Sequence, residues 1–345
     1  MNFIYSMIEK GYIPDFALRL AILYLCKKRL CKEKKGTLEA RNQGFQKLLT
    51  SLKNSQIAVK TEKANEQHYE VKSDFYKLVL GDHLKYSSCL WGEGTSTLSK
   101  AEANMLNLYC ERAEIRDGMH ILELGCGWGS LTLFLAERFP NSKILAVSNS
   151  NSQREFIMNA AKERNLKNVS IVTSDINQFE TELTFDRVVS IEMFEHMRNY
   201  QELLKRISSW LKEDGKLFVH IFCNKELAYL FEEQGAANWM GRYFFSGGIM
   251  PSDHLLLYFQ DDLVLNSHWH VNGTHYSKTA KTWHDNQVFR KDEVMDVLGK
   301  IYGADNKSLW YSRWKLFFLA CEVLFAYKGG NEWFVSHYLF SKRRK

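Results

Sequence analysis

Met119-His120-Ile121-Leu122-Glu123-Leu124-Gly125-Cys126-Gly127-Trp128-Gly129-Ser130 reads as a strand, a tight glycine turn and the opening of a helix. Met119 to Leu124 is a short apolar run, and Ser130 to Glu137 takes up helical spacing behind the glycines. Glycines let a backbone turn sharply and approach a ligand closely. A helix that starts behind such a turn aims its free N–H groups at that ligand. This setting lifts Glu-x-Gly-x-Gly-x-Gly above a chance match. The plainer alternative is a tight turn with no ligand, and the agreement of the flanking elements weighs against it.

The rhythm continues outward from the loop. Lys143 to Val147, Val169 to Val172, Arg187 to Ile191 and Lys216 to Ile221 read as further strands. Helices are expected at Gln153 to Arg164 and in the segment carrying Leu203, Leu204, Ile207, Trp210 and Leu211. Strands alternating with helices predict an α/β fold, a doubly wound and mostly parallel sheet. Ligands then bind at the edge where the loops leave the strand ends.

A dinucleotide fingerprint would close Gly-x-x-Gly and place an acid at the end of the second strand. Here the glycine spacing is one residue shorter, and that strand ends in Ser148-Asn149-Ser150. The shorter form suits S-adenosyl-L-methionine (SAM). Asn149 or Gln153 then has to contact the ribose or its neighbours. Asp175 sits at the end of the third strand, where adenine recognition is expected.

The fourth strand runs into Ser190-Ile191-Glu192-Met193-Phe194-Glu195-His196-Met197-Arg198-Asn199-Tyr200. If a helix begins there, Glu192, Glu195 and His196 share one face. Methyl transfer needs a nucleophile with a free lone pair in line with the methyl–sulfur bond. An amine arrives largely as ammonium at neutral pH. A carboxylate or imidazole beside it attracts the cation and takes its proton. The plainer alternative is a helix start decorated with favourable acids.

The rest of the chain limits the function classes. At 345 residues it can bury a sizeable core. The first hundred residues look mostly helical and predict a cap over 1–105, with the methyltransferase core at 106–345. Residues 226–283 break the rhythm with aromatics and Gly247-Gly248, and read as an insertion covering the substrate. Trp314 to Phe325 predicts a helix, and Trp333 to Phe340 a last strand. Phe16 to Cys26 is apolar but interrupted by Arg19, and too short to span a bilayer. The N-terminus lacks the basic start and cleavage site of a secretory signal. The basic runs at Lys27–Lys35 and Lys342–Lys345 read as solvated surface, so no nucleic acid is expected. Seven scattered cysteines lack zinc-ligand spacing, so no metal is expected, and a reducing, cytoplasmic setting fits. Oligomeric state is left open, a homodimer included.

The run Ile191 to Tyr200 resembles the signature of plant coclaurine N-methyltransferases and their relatives. So do Gln67-His68-Tyr69-Glu70, Lys85-Tyr86-Ser87-Ser88-Cys89, Leu257 to Asp262, His268-Trp269 and Asn272 to Tyr276. The likeness extends along almost the whole chain. That family sits within the cyclopropane fatty acid synthase and mycolic acid cyclase superfamily. The resemblance implies a class I methyltransferase core with a helical cap. It implies SAM contacts from Tyr69, Tyr86, Ser87, Gly125, Gly127, Asn149, Gln153 and Ile176. It also implies that Glu192, Glu195 and His196 handle an amine.

The chain departs from both branches. The resemblance to cyclopropane synthases implies a bicarbonate held by Cys89, Glu195, His220 and Tyr276, and all four types are present. Coclaurine enzymes match less well at His220 and Tyr276. The synthases carry glycine where this chain has Glu192. A buried carboxylate beside a sulfonium suits a cationic amine better than an alkene. N-methylation of a small or medium amine is therefore expected, with methylene transfer to unsaturated phospholipid chains as the alternative. Only that alternative calls for membrane contact. Cys321 matches a cysteine assigned to catalysis in some synthases, but its apolar helical setting reads more simply as packing.

Overall fold

The computed structural model describes residues 7–59, 71, 73–231 and 239–344. Its strands in chain order are β1 His120–Leu124, β2 Lys143–Ser148, β3 Val169–Thr173, β4 Phe185–Ile191, β5 Leu211–Asn224, β6 Tyr229–Leu230, β7 Ile249–Met250, β8 Leu263–Val271 and β9 Trp333–Lys342. Seven of these form one sheet in the order β3-β2-β1-β4-β5-β9-β8, and β6 pairs only with β7. The pairs from β3 through β5 are parallel. β9 inserts antiparallel between β5 and β8. The expected doubly wound sheet is present.

Alternation along the strands builds two cores, one on each face. Ile121, Val189 and Phe218 join the core under the N-terminal helices and the helix Lys307–Ala326. Their neighbours Leu122, Val188, Leu217 and Val219 join the opposite core, packed by the helix Tyr200–Trp210. That helix starts where the Asn199 side chain accepts the Glu202 N–H, and it buries Leu203, Leu204 and Ile207 on one face. β2 and β3 extend the sheet to one side of β1, and β4 returns to the other. The crevice at this reversal is where a ligand belongs.

Two expectations change in detail. Residues 226–283 are not one irregular piece, because Leu263–Val271 is the edge strand of the main sheet and Gly273 opens the helix Gly273–Phe289. The pairing partner of this edge strand, β9, lies some seventy residues later, and the strand's own burial does not alternate, so no local rhythm reveals it. The division at 105 falls inside the helix Leu98–Arg112, which buries Met105, Leu106 and Tyr109 in the shared core. The helix Asp15–Glu33 does pack on the body, through Leu18, Cys26 and Leu30 and an Arg19–Glu322 ion pair of 2.9 Å. Its outer face leaves Phe16, Leu20 and Tyr24 exposed. Among the described residues no helix is long and apolar enough to cross a membrane.

Candidate active site

The glycine loop leaves β1 at the crevice. Gly125, Gly127 and Gly129 all have positive φ, where side chains are strained. At Gly125 an added Cβ would lie 2.9 Å from the Met193 side chain, and at Gly129 2.7 Å from that of Ile157. The loop therefore needs glycine for its turn and for the close approach of its neighbours.

Two cavities meet at this loop, and Gly125, Gly127, Gln153 and His196 line both. One also carries Asn149, Asp175 and Ile176. The other carries Tyr86, Ser87, Glu192 and Tyr276, with Phe222, Phe245, Trp283 and Phe317 as aromatic wall. The cofactor residues expected from sequence thus fall along one groove, except Tyr69, which lies outside the described residues with the rest of Gln67–Glu70. The missing strand-end acid is answered locally: Ser148 donates to Gln153 Oε1 at 2.7 Å and orients the amide in the groove. Asp175 accepts the Asn177 N–H at 2.7 Å, which sets the turn after β3. The glycine cradle, the polar groove and its apolar flank fit SAM.

Glu192 stands at the inner end of the groove. It sits at φ +48, just past β4, and its N–H donates to the carbonyl of His220 on β5. Its side chain accepts three hydrogen bonds. Ser88 N–H (2.9 Å) and His220 Nε2 (3.0 Å) reach Oε1, and the Tyr276 hydroxyl (2.6 Å) reaches Oε2. Burial raises its pKa to about 6, against the pull of Lys85, Tyr276 and Ser88. Lys85 is itself buried, donating to Ser87 Oγ and the Ser88 carbonyl. Desolvation drives its pKa down.

The expected single helical face does not form. Phe194–His196 is one 3₁₀ turn, and the left-handed Glu192 lies before it. The three side chains therefore diverge. His196 lines both cavities and stacks on Phe245, with ring centroids 5.5 Å apart. Glu195 turns away under β5, where Oε1 accepts the Phe222 N–H at 2.7 Å, and it lines neither cavity. Burial and the nearby Glu192 charge push its pKa well up.

The other expected residues separate in the same way. His220 and Tyr276 both bond the Glu192 carboxylate, which occupies their anion-holding positions with the chain's own side chain. Cys89 faces the core, its Sγ directed at the Ser87 carbonyl, and burial pushes its thiol up to about 12. Cys321 is buried and off the cavity lining, and burial next to Glu192 raises its thiol further. Sequence reasoning assigned nothing to Tyr109, Arg112 and His337, which stand behind His220. It also missed the only group among the described residues that could hold a metal ion: Asp253, His268 and His270, with ligand atoms within 4.8 Å of one another. None of these three lines the groove.

Residues 57–332 match the family model of mycolic acid cyclopropane synthetase. The chain is 39% identical to (S)-coclaurine N-methyltransferase of Thalictrum flavum subsp. glaucum, over 97% of this chain and 94% of that one. It is 36% identical to pavine N-methyltransferase of the same plant, over 97% and 95%. Its fold superposes on a crystal structure of coclaurine N-methyltransferase bound to N-methylheliamine and SAH with a TM-score of 0.94, at 37% identity over 98% and 99% of the two chains. With the glycine cradle and its groove, these likenesses establish that the chain belongs to the mycolic acid cyclopropane synthetase family and is a SAM-dependent methyltransferase.

Proposed function

We propose that the protein N-methylates a ring-bearing amine, and that Glu192 is the carboxylate that receives it. The observation that carries this reading is a buried anion held by three donors at the inner end of the cofactor groove. A carboxylate has about four acceptor sites. Three are filled, two on Oε1 and one on Oε2, so Oε2 keeps a lone pair for the cavity. An ammonium entering the cavity is attracted there and gives up its proton at Oε2. The freed nitrogen lone pair is then held in position to react. When bound, SAM supplies an activated methyl group. His196, stacked on Phe245, borders both halves of the groove and orients the substrate beside the cofactor position. The aromatic wall excludes water and favours a cationic ring system, since aromatic faces attract cations. Glu195, whose Oε1 accepts the Phe222 N–H and which lines neither cavity, is not placed to touch the nitrogen.

Support comes also from the relatives, whose names specify coclaurine and pavine as methyl acceptors. Residues 239–259, which bring Phe245 to the wall, are the part of the expected insertion suited to cover the substrate. The seven free thiols, six of them buried, suit a reducing, cytoplasmic setting. Methylene transfer to an unsaturated phospholipid chain is the weaker reading, because an alkene offers Glu192 neither charge nor proton.

The test is incubation with methyl-labelled SAM and two panels: benzylisoquinoline-type secondary amines and vesicles of unsaturated phospholipid. Label is expected in the amines. Label confined to lipid would overturn the reading.

A further inference from the structure

We propose that Arg112 and His337 are positioning residues for Glu192, acting through His220 by fixing which ring nitrogens of the two histidines carry hydrogen. The inference rests on the reading of Glu192 as the working carboxylate. Its geometry stands independently of that reading.

The chain of contacts runs from solvent to site. Arg112 ends the helix Leu98–Arg112 and lies over the Trp269 ring, 5.2 Å from its centroid. Its Nη1 is 2.7 Å from His337 Nδ1. His337 Nε2 is 2.9 Å from His220 Nδ1, and His220 Nε2 is 3.0 Å from Glu192 Oε1. The two histidines are direct partners across the antiparallel β5–β9 pair. Both are fully buried, and desolvation lowers their pKa values well below the usual range, so each ring carries a single hydrogen.

Those constraints admit one arrangement. A guanidinium only donates. His337 Nδ1 must then accept, which puts its hydrogen on Nε2. That hydrogen points at His220 Nδ1, which must accept in turn, so the His220 hydrogen lies on Nε2 and points at Glu192. The far end agrees, because a carboxylate only accepts. The Tyr109 hydroxyl, also 2.9 Å from His220 Nδ1, shares the single lone pair of that nitrogen with His337, and as a second donor it likewise leaves the His220 hydrogen on Nε2. The hydrogen bond made at one ring nitrogen sets the state of the other, and here the setting passes through two rings.

Without the guanidinium the reverse order becomes available. His337 then carries hydrogen on Nδ1, His220 donates from Nδ1 to His337, and a bare His220 Nε2 faces Glu192. Glu192 can bear that neighbour only as the acid. Apart from His220, the titratable groups around Glu192 are Lys85, Cys89, Tyr109, Glu195, Tyr276 and Cys321. Of these, Tyr109 also packs on the His337 ring, with centroids 5.5 Å apart, and together with Glu111, His268 and Lys85 it makes up the remaining titratable surroundings of the Arg112–His337 contact.

The first experiment needs neither substrate nor variant activity. Nitrogen-15 histidine spectra of the full chain at neutral pH, assigned with His220→Gln and His337→Gln, should show both residues with hydrogen on Nε2. A hydrogen on Nδ1 of either ring overturns the proposal. The second compares Arg112→Met and Arg112→Lys in amine methylation. Arg112→Met should move the acid limb of kcat/KM to higher pH and lower kcat/KM about tenfold near neutrality, the size of one lost hydrogen bond to a charged group. The loss should fall on kcat rather than KM, with partial recovery in Arg112→Lys. An Arg112→Met profile that overlays the parent also overturns the proposal. If no amine is methylated at all, the functional reading fails, and the spectra alone decide the relay.

Discussion

The Tyr276 hydroxyl donates to Glu192 Oε2 across 2.6 Å, although 84 positions separate the two residues. Glu192 lies at the end of β4, and Tyr276 lies on the first turn of the helix Gly273–Phe289. The bond ties the substrate side of the pocket to the carboxylate that defines it. Tyr276 also stacks on Phe325 at 4.2 Å, which leaves its ring one position to occupy.

Tyr276→Phe removes that donor and keeps the ring. The charged form of Glu192 loses support, so its pKa rises from about 6. Activity needs the carboxylate, so the acid limb of kcat/KM should move to higher pH. The lost bond is worth about 2 kcal/mol, or roughly thirtyfold in kcat/KM. A pH–rate profile of amine methylation checks both.

Glu192→Gln should cost far more than Cys321→Ala. The first removes the proton acceptor facing the cavity, a loss of roughly 10²–10⁴-fold in kcat/KM. The second removes a buried thiol outside the groove, costing about 1 kcal/mol of stability and leaving kcat within a few-fold. Steady-state kinetics with thermal melts separate the two, and equal losses would contradict the assignment.

Gly125→Ala should strike the cofactor site. At φ +77 an alanine costs about 1–2 kcal/mol, and its Cβ would press on Met193. Calorimetry with S-adenosylhomocysteine should show at least tenfold weaker binding, together with a lower Tm.

Glu123 makes a prediction for stability against pH. It is buried under the glycine loop, accepts a hydrogen bond from Thr132, and burial raises its pKa to about 8. A carboxyl raised on folding holds its proton in the native state after the unfolded chain has released its own. Its contribution is therefore full below about pH 4.5, the ordinary glutamate value, and is lost as pH rises toward about 8. Glu123→Gln cannot titrate, so its stability should fall less over that window than the parent's. Urea unfolding at intervals between pH 5 and 8.5 checks the difference.

Much of the groove was legible because its signals are local. A glycine turn between a strand and a helix needs only a dozen neighbouring residues to be seen. The residues ending β2 and β3, Asn149, Asp175 and Ile176, follow from counting strands, since parallel strands bring their ends to one edge. The failure at Glu192, Glu195 and His196 has an equally local cause. A shared face requires a helix there, but Glu192 takes a left-handed turn and a 3₁₀ turn follows, so the two carboxylates point to different places. One faces the cavity, and the other bonds the backbone of β5.

By itself, the sequence determined the parallel α/β core, the SAM loop and the segment that brings carboxylates to its edge. Those follow from short-range rules of spacing and backbone freedom. Only the tertiary structure decided which carboxylate faces the cavity and what holds it. The register of β5 against β9 places His337 opposite His220. The packing of the helix Gly273–Phe289 brings Tyr276 to Glu192. Burial then sets their charge states, and burial is a property of the whole fold rather than of any stretch of chain.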